Sequence, residues 1–158
     1  MKNIFYLGVL FVGIGFQSCQ NTTSEKRSIQ KASNQEKPLS VACYVSVYEK
    51  DSIQLELNTF KDGKVNGDMV MKFYNTAVKK GKLSGVFSGD TLLVSYTFIE
   101  GTNEKITFKN PMAFLKRNDS LVLGNGKMQT TMGATYFVKG EPIDFDRVKF
   151  KFTSVDCE

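Results

Sequence analysis

Residues 79–100 read KKGKLSGVFSGDTLLVSYTFIE, and this stretch decides the fold. Leu92, Val94, Tyr96 and Phe98 recur at every second position, and Leu83 and Phe87 share a face before Ser88-Gly89-Asp90. Side chains alternate across a strand with period two, so both halves read as strands with one apolar face. Gly and Asp between them supply the backbone freedom that a tight reversal needs. The stretch is therefore a β-hairpin.

The same pattern extends in both directions. Upstream, Cys43, Val45 and Val47 alternate with Tyr44, Ser46 and Tyr48, and Ile53, Leu55 and Leu57 alternate with Gln54, Glu56 and Asn58. Val65, Met69, Met71 and Phe73 share one face of the next strand. Downstream, strands are expected at 104–109, 112–116, 120–127 and 134–139, and Val148, Phe150 and Phe152 alternate near the end. Lys61-Asp62-Gly63 and Arg117-Asn118-Asp119 supply further reversals. A weak echo links Gly63-Lys64-Val65-Asn66-Gly67 to Gly81-Lys82-Leu83-Ser84-Gly85, read as a repeated hairpin solution. Gly67 and Gly85 fall mid-strand, where a missing side chain marks a sharp bend or a close approach.

These short strands predict an all-β domain: a single small antiparallel meander β-barrel of about eight to nine strands, with a two-sheet β-sandwich as the alternative. Closure hides both the apolar faces and the open edges. Such a barrel would be lipocalin-like or calycin-like, although the Gly-x-Trp of lipocalins cannot occur in a chain without Trp.

The amino terminus follows other rules. Met1-Lys2 is a basic start, Ile4–Phe16 is an uncharged apolar run, and Ser18 precedes Cys19. The run is too short to cross a bilayer, which takes about 20 residues, and has the layout of a secretory signal. Ser18-Cys19 resembles the lipobox of bacterial lipoprotein precursors. Phe16 and Gln17 depart from its most familiar form, which has a leucine and a small residue there, and the Ser-Cys ending resembles the looser lipoboxes typical of Bacteroidota. That resemblance implies a signal peptide over 1–18 and lipidation of Cys19 by diacylglycerol and a further acyl chain such as palmitate. It also implies anchoring in the cell envelope, at the outer membrane because Gln20 is not Asp. Two or more acyl chains hold a protein stably on a membrane. Residues 19–40 read as a polar, flexible tether, and residues 41–158 as the barrel domain.

Cys43 and Cys157 bracket that domain. Export places them in an oxidising compartment, where a disulfide is expected; two buried free thiols are the alternative. The Cys43-Tyr44 start, the Asp156-Cys157 end and the Gly89–Leu92 hairpin are similar to those of small Bacteroidota lipoproteins with no assigned activity.

Chemistry is sparse. The chain has no histidine, which removes the commonest general base and metal ligand. No glycine-rich loop leads from a strand into a helix, so a phosphate cradle is not expected. Asp51, Asp62, Asp90 and Asp119 sit where turns are expected, and Asp144 with Asp146 forms an acidic cluster that lacks a calcium loop's spacing. No catalytic residue, metal or cofactor is assigned. The formal charge of +5, of which Lys2 leaves with the signal, shows no clustering of a nucleic-acid-binding kind.

Tyr44, Tyr48 and Tyr74 are expected opposite the apolar faces, as contacts for a ligand or partner. Met69, Met71, Met112, Met128 and Met132 read as core, with an adaptable pocket as their alternative use. The expected function is a non-enzymatic envelope lipoprotein that binds a small apolar ligand, a glycan or an envelope protein. An inhibitor or stress-related module is a second expectation, since lysozyme inhibitors share the architecture, although they tend to be acidic. A carboxylate-based hydrolase is the third.

Overall fold

A computed structural model describes residues 36–132 and 134–157. The expected signal peptide, Cys19 and most of the tether lie outside them. Among the described residues there are twelve strands: β1 (Ser40–Tyr48), β2 (Asp51–Thr59), β3 (Lys64–Lys72), β4 (Lys79–Ser88), β5 (Thr91–Glu100), β6 (Phe108–Arg117), β7 (Ser120–Leu123), β8 (Asn125–Gly126), β9 (Met128–Thr131), β10 (Ala134–Phe137), β11 (Ile143–Asp144) and β12 (Lys151–Val155). Eight of them close in the order β1-β12-β7-β6-β5-β4-β3-β2, all neighbours antiparallel. The barrel holds, and the sandwich is set aside because β12 bonds to β1 and leaves no sheet edge.

The interior is filled. Ile53, Leu55 and Leu57 of β2 meet Val65, Met69 and Met71 of β3, Leu83 of β4 and Leu92, Val94, Tyr96 and Phe98 of β5. Phe114, Leu121 and Phe152 complete this core from β6, β7 and β12. The expected inward rows of β2, β3 and β5 are thus the observed ones.

Small residues make the tight winding feasible. A Cβ at Gly67, Gly81 or Gly85 would run into the backbone carbonyl of Glu56, Thr97 or Leu93 respectively. The echoed motifs lie side by side: Val65 is opposite Gly85, Asn66 opposite Ser84 and Gly67 opposite Leu83. Each large side chain in that pair fronts a glycine, which allows the strands to coil without overfilling the core.

Four expectations are corrected. In β1 the inward row is the other one: Tyr44 is opposite Leu55 and Ser46 opposite Ile53, both buried partners, while Val41 and Val47 are exposed. Both rows of this strand carry apolar or aromatic residues, so alternation alone does not say which faces in. Of the expected strand 104–109 only Phe108 and Lys109 are strand; they join the expected strand 112–116 as β6, running through Pro111. β7 pairs with β6 only from Phe114 to Arg117, so Pro111 lies where β6 has a neighbour on one side, and its missing N–H is tolerated. The expected strand 120–127 breaks at Gly124 into β7 and β8. The last strand starts at Lys151, after Val148 and Phe150.

Residues 124–150, between β7 and β12, leave the barrel as an excursion holding the hairpin β9-β10 and, flanking it in the chain, the short antiparallel pair β8-β11. Ala113 and Val122 belong to the outward rows of β6 and β7, yet both are buried. The excursion accounts for this. β10 contacts β6, the side chains of Ile143 and Phe145 crowd Gly124, and Asp146 reaches Arg117 at 2.8 Å.

Two devices close the seam between first and last strands. Cys43 and Cys157 form a disulfide across 114 residues of chain, with Cα atoms 5.2 Å apart. Further along, past the last β1–β12 pair, the buried Ser46 hydroxyl donates to the Lys151 carbonyl at 2.8 Å.

Candidate functional site at the barrel mouth

One end of the barrel carries the β1–β2, β3–β4 and β5–β6 connections together with the two ends of the excursion; the other carries the β2–β3, β4–β5 and β6–β7 turns and the disulfide. The excursion end is not sealed uniformly. Near β1 and β12, Phe150 plugs it, with its ring 5.9 Å from Phe73 and 6.2 Å from Tyr48. On the β4–β6 side a half-enclosed cavity of about 260 Å³ remains.

Its floor is Met71, Tyr96, Met112 and Leu123, its walls include Phe98 and Phe137, and Lys79, Asn110 and Asn125 bring polar groups to it. Period-two alternation on β5 and β6 explains the aromatic side. Tyr96 stacks on Phe98 at 4.8 Å, and Phe98 stacks on its cross-strand partner Phe108 at 5.5 Å. The ladder leads from the closed core to solvent, because Tyr96 is 1% exposed and Phe108 42%. The opposite wall comes from β9 and β10, where Met128 and Phe137 form a cross-strand pair.

The polar groups around the mouth are mostly committed. Lys79 holds Glu100 at 3.2 Å and lies 5.4 Å from the Phe98 ring centre. Asn125 donates to the Arg147 carbonyl. The Tyr96 hydroxyl donates to the Met69 carbonyl, and burial pushes its pKa up to about 12. A tyrosine so placed stays protonated and positions the wall; it is not an acid or base at neutral pH.

The three tyrosines singled out from the sequence do not converge on this cavity. Tyr44 lies on the inward row of β1 and packs against the core; burial, then the charge of Asp119, raises its hydroxyl pKa. Tyr48 ends β1, with Lys149 5.5 Å from its ring centre. Tyr74 is 58% exposed in the turn after β3, not on a strand face, and Lys50 sits 4.2 Å above its ring. One face of each of the latter two rings is therefore covered by a lysine of the same chain.

The methionines divide. Met69 and Met71 are core, as expected, whereas Met128 is 52% exposed and Met132 lies fully exposed at the hairpin tip. Met71, Met112 and Met128 do line the cavity. Lys79, Asn110 and Phe137 were not legible as site residues, because only closure of the barrel and the return of the excursion bring them together.

Six of the described carboxylates, Asp62, Asp68, Glu100, Glu141, Asp144 and Asp146, pair with a lysine or arginine. Asp62 pairs with Lys64, which lowers its pKa, and Asp68 pairs with Lys82. Asp144 accepts from the backbone N–H groups of Arg147 and Asp146 and from the Arg147 guanidinium, and these bonds depress its pKa. No group of three or more His, Cys, Asp or Glu side chains converges among the described residues. Comparison with protein families, with curated proteins and with solved structures finds no match to this chain.

Proposed function

We propose that this chain is a non-catalytic binding protein of the bacterial cell envelope, anchored through lipid on Cys19, which takes a small, largely apolar ligand at the barrel mouth. The observation that carries the reading is the mouth cavity: apolar floor, aromatic walls and a few polar groups, the make-up of small-molecule sites. At about 260 Å³ it is slightly smaller than the sites that enclose a drug-sized molecule. It suits one ring or a short hydrocarbon segment. The absence of histidine and the pairing of Asp62, Asp68 and Asp144 with lysine or arginine support binding over catalysis.

The test uses the uncharged fluorophore N-phenyl-1-naphthylamine with the purified full chain. Its emission is expected to rise on binding and to lose most of that rise in Phe137→Ala. Unchanged emission with the wild-type chain would remove the reading. For the anchor, mass spectrometry of the mature amino terminus is expected to find Cys19 carrying acyl groups. An unmodified first residue would exclude the lipoprotein assignment.

An envelope protein or glycan seated on the same end is the second reading. Ile106 and Phe108 favour it, since Ile106 lies in the β5–β6 connection at that end, Phe108 begins β6 beside it, and both are exposed.

A further inference from the structure

We infer that the mouth ligand is an anionic amphiphile, with its hydrocarbon end in the cavity and its carboxylate or phosphate at Lys79; this rests on the binding reading above. Three features of the structure support it.

The first is polarity along the cavity. Met71, Met112 and Leu123 make an apolar floor, and Lys79 and Asn110 are the polar side chains contributed by the barrel strands. A molecule matching this gradient is apolar at one end and polar at the other. The second is size. A space of about 260 Å³ encloses only the tip of a longer chain, and the exposed Phe108 and Met128 extend the apolar surface outward from it.

The third is charge, which becomes legible only after folding. Lys72, Lys80, Lys105 and Lys109 belong to the strand ends and loop around the mouth and have no carboxylate partner among the described residues. Glu104 and the Lys79-bound Glu100 are the acids on the same β4–β6 side. At the opposite end Lys61, Lys64, Lys116 and Arg117 lie with Asp62, Asp90 and Asp119, and Lys64 and Arg117 are each paired with a carboxylate. The β4–β6 side of the mouth therefore carries a local excess of lysines without carboxylate partners among the described residues, which draws anions toward the opening. Lys79 supplies the directed contact: an ammonium has three N–H donors, and Glu100 occupies one.

Titration calorimetry with the full chain carrying Cys19→Ser, which has no acyl group of its own, separates the outcomes. The probes are decanoate, decanol and decylamine, each below its micelle concentration. Decanoate is expected to bind about tenfold more tightly than decanol, and decylamine more weakly than either. Added salt should narrow the gap between decanoate and decanol. The double variant Lys79→Gln/Glu100→Gln, which leaves no unpaired charge, should abolish the preference for decanoate and keep decanol binding. Equal affinity for decanoate and decanol in the wild-type chain would overturn the anion inference and leave the apolar site standing. No binding of any of the three would overturn both.

Discussion

Tyr96 combines the two demands made of a barrel residue in this protein. Its ring is core, and its hydroxyl must find a partner, which the Met69 carbonyl provides at 3.0 Å. Tyr96→Phe removes this bond and is expected to lower stability by about 0.5 to 1.5 kcal/mol in urea unfolding. Its pH signature has a definite sign. The folded state holds the Tyr96 proton up to about pH 12, whereas an unfolded tyrosine releases it near 10. The native state binds more protons in that window, so its stability is full below pH 10 and falls as pH rises toward 12. Tyr96→Phe should flatten this alkaline loss, and an unchanged slope would assign it to other groups. Gly81 makes a second residue-scale case. Its added Cβ would meet the Thr97 carbonyl and the Phe98 side chain. Gly81→Ala is expected to cost about 1 to 3 kcal/mol, read as a lower thermal midpoint.

At the scale of elements, β6 and the excursion depart most from simple alternation. β6 crosses Pro111 because half of the strand has one neighbour, and its outward Ala113 is buried because the excursion covers it. Gly124 is the hinge of that arrangement in a packing sense: Ile143 and Phe145 occupy the space where its side chain would be. Gly124→Ala is therefore expected to loosen residues 125–150 while the meander β1–β6 stays intact. Hydrogen exchange checks this, with faster exchange expected at the Gly124 amide, which bonds to Ala113, and unchanged protection in β2–β5. Uniform loss of protection would mean that the excursion is part of one cooperative unit with the barrel.

Among the described residues, most contacts join consecutive strands, and the β1–β12 seam joins the first strand to the last. The Cys43–Cys157 disulfide spans 114 residues at that seam. Closing so long a loop restricts the unfolded chain, and the chain-entropy model values this at about 4.7 kcal/mol. The double variant Cys43→Ser/Cys157→Ser is expected to lower stability by roughly 2 to 5 kcal/mol and to keep the strand content seen by circular dichroism. Ser46, bonded to Lys151 past the last backbone pair, continues to hold the seam in that variant. A stability unchanged by the double substitution would show that the seam needs no covalent support.

Period-two alternation and turn residues were enough to read the all-β class, the meander and the inward rows of β2, β3 and β5, because each is a local property of a few neighbouring residues. The cysteine pair was legible because Cys43 and Cys157 bracket the domain. The inward face of β1 was not, since valines and tyrosines compete for the core and only pairing with Ile53 and Leu55 chooses between them. Nor was the mouth. Lys79, Phe98, Asn110 and Phe137 lie far apart along the chain, and it takes barrel closure and the returning excursion to set them around one cavity. Charge followed the same division: composition determined its sign and size, while the up-and-down path of the strands decided which lysines gather on the β4–β6 side of the mouth.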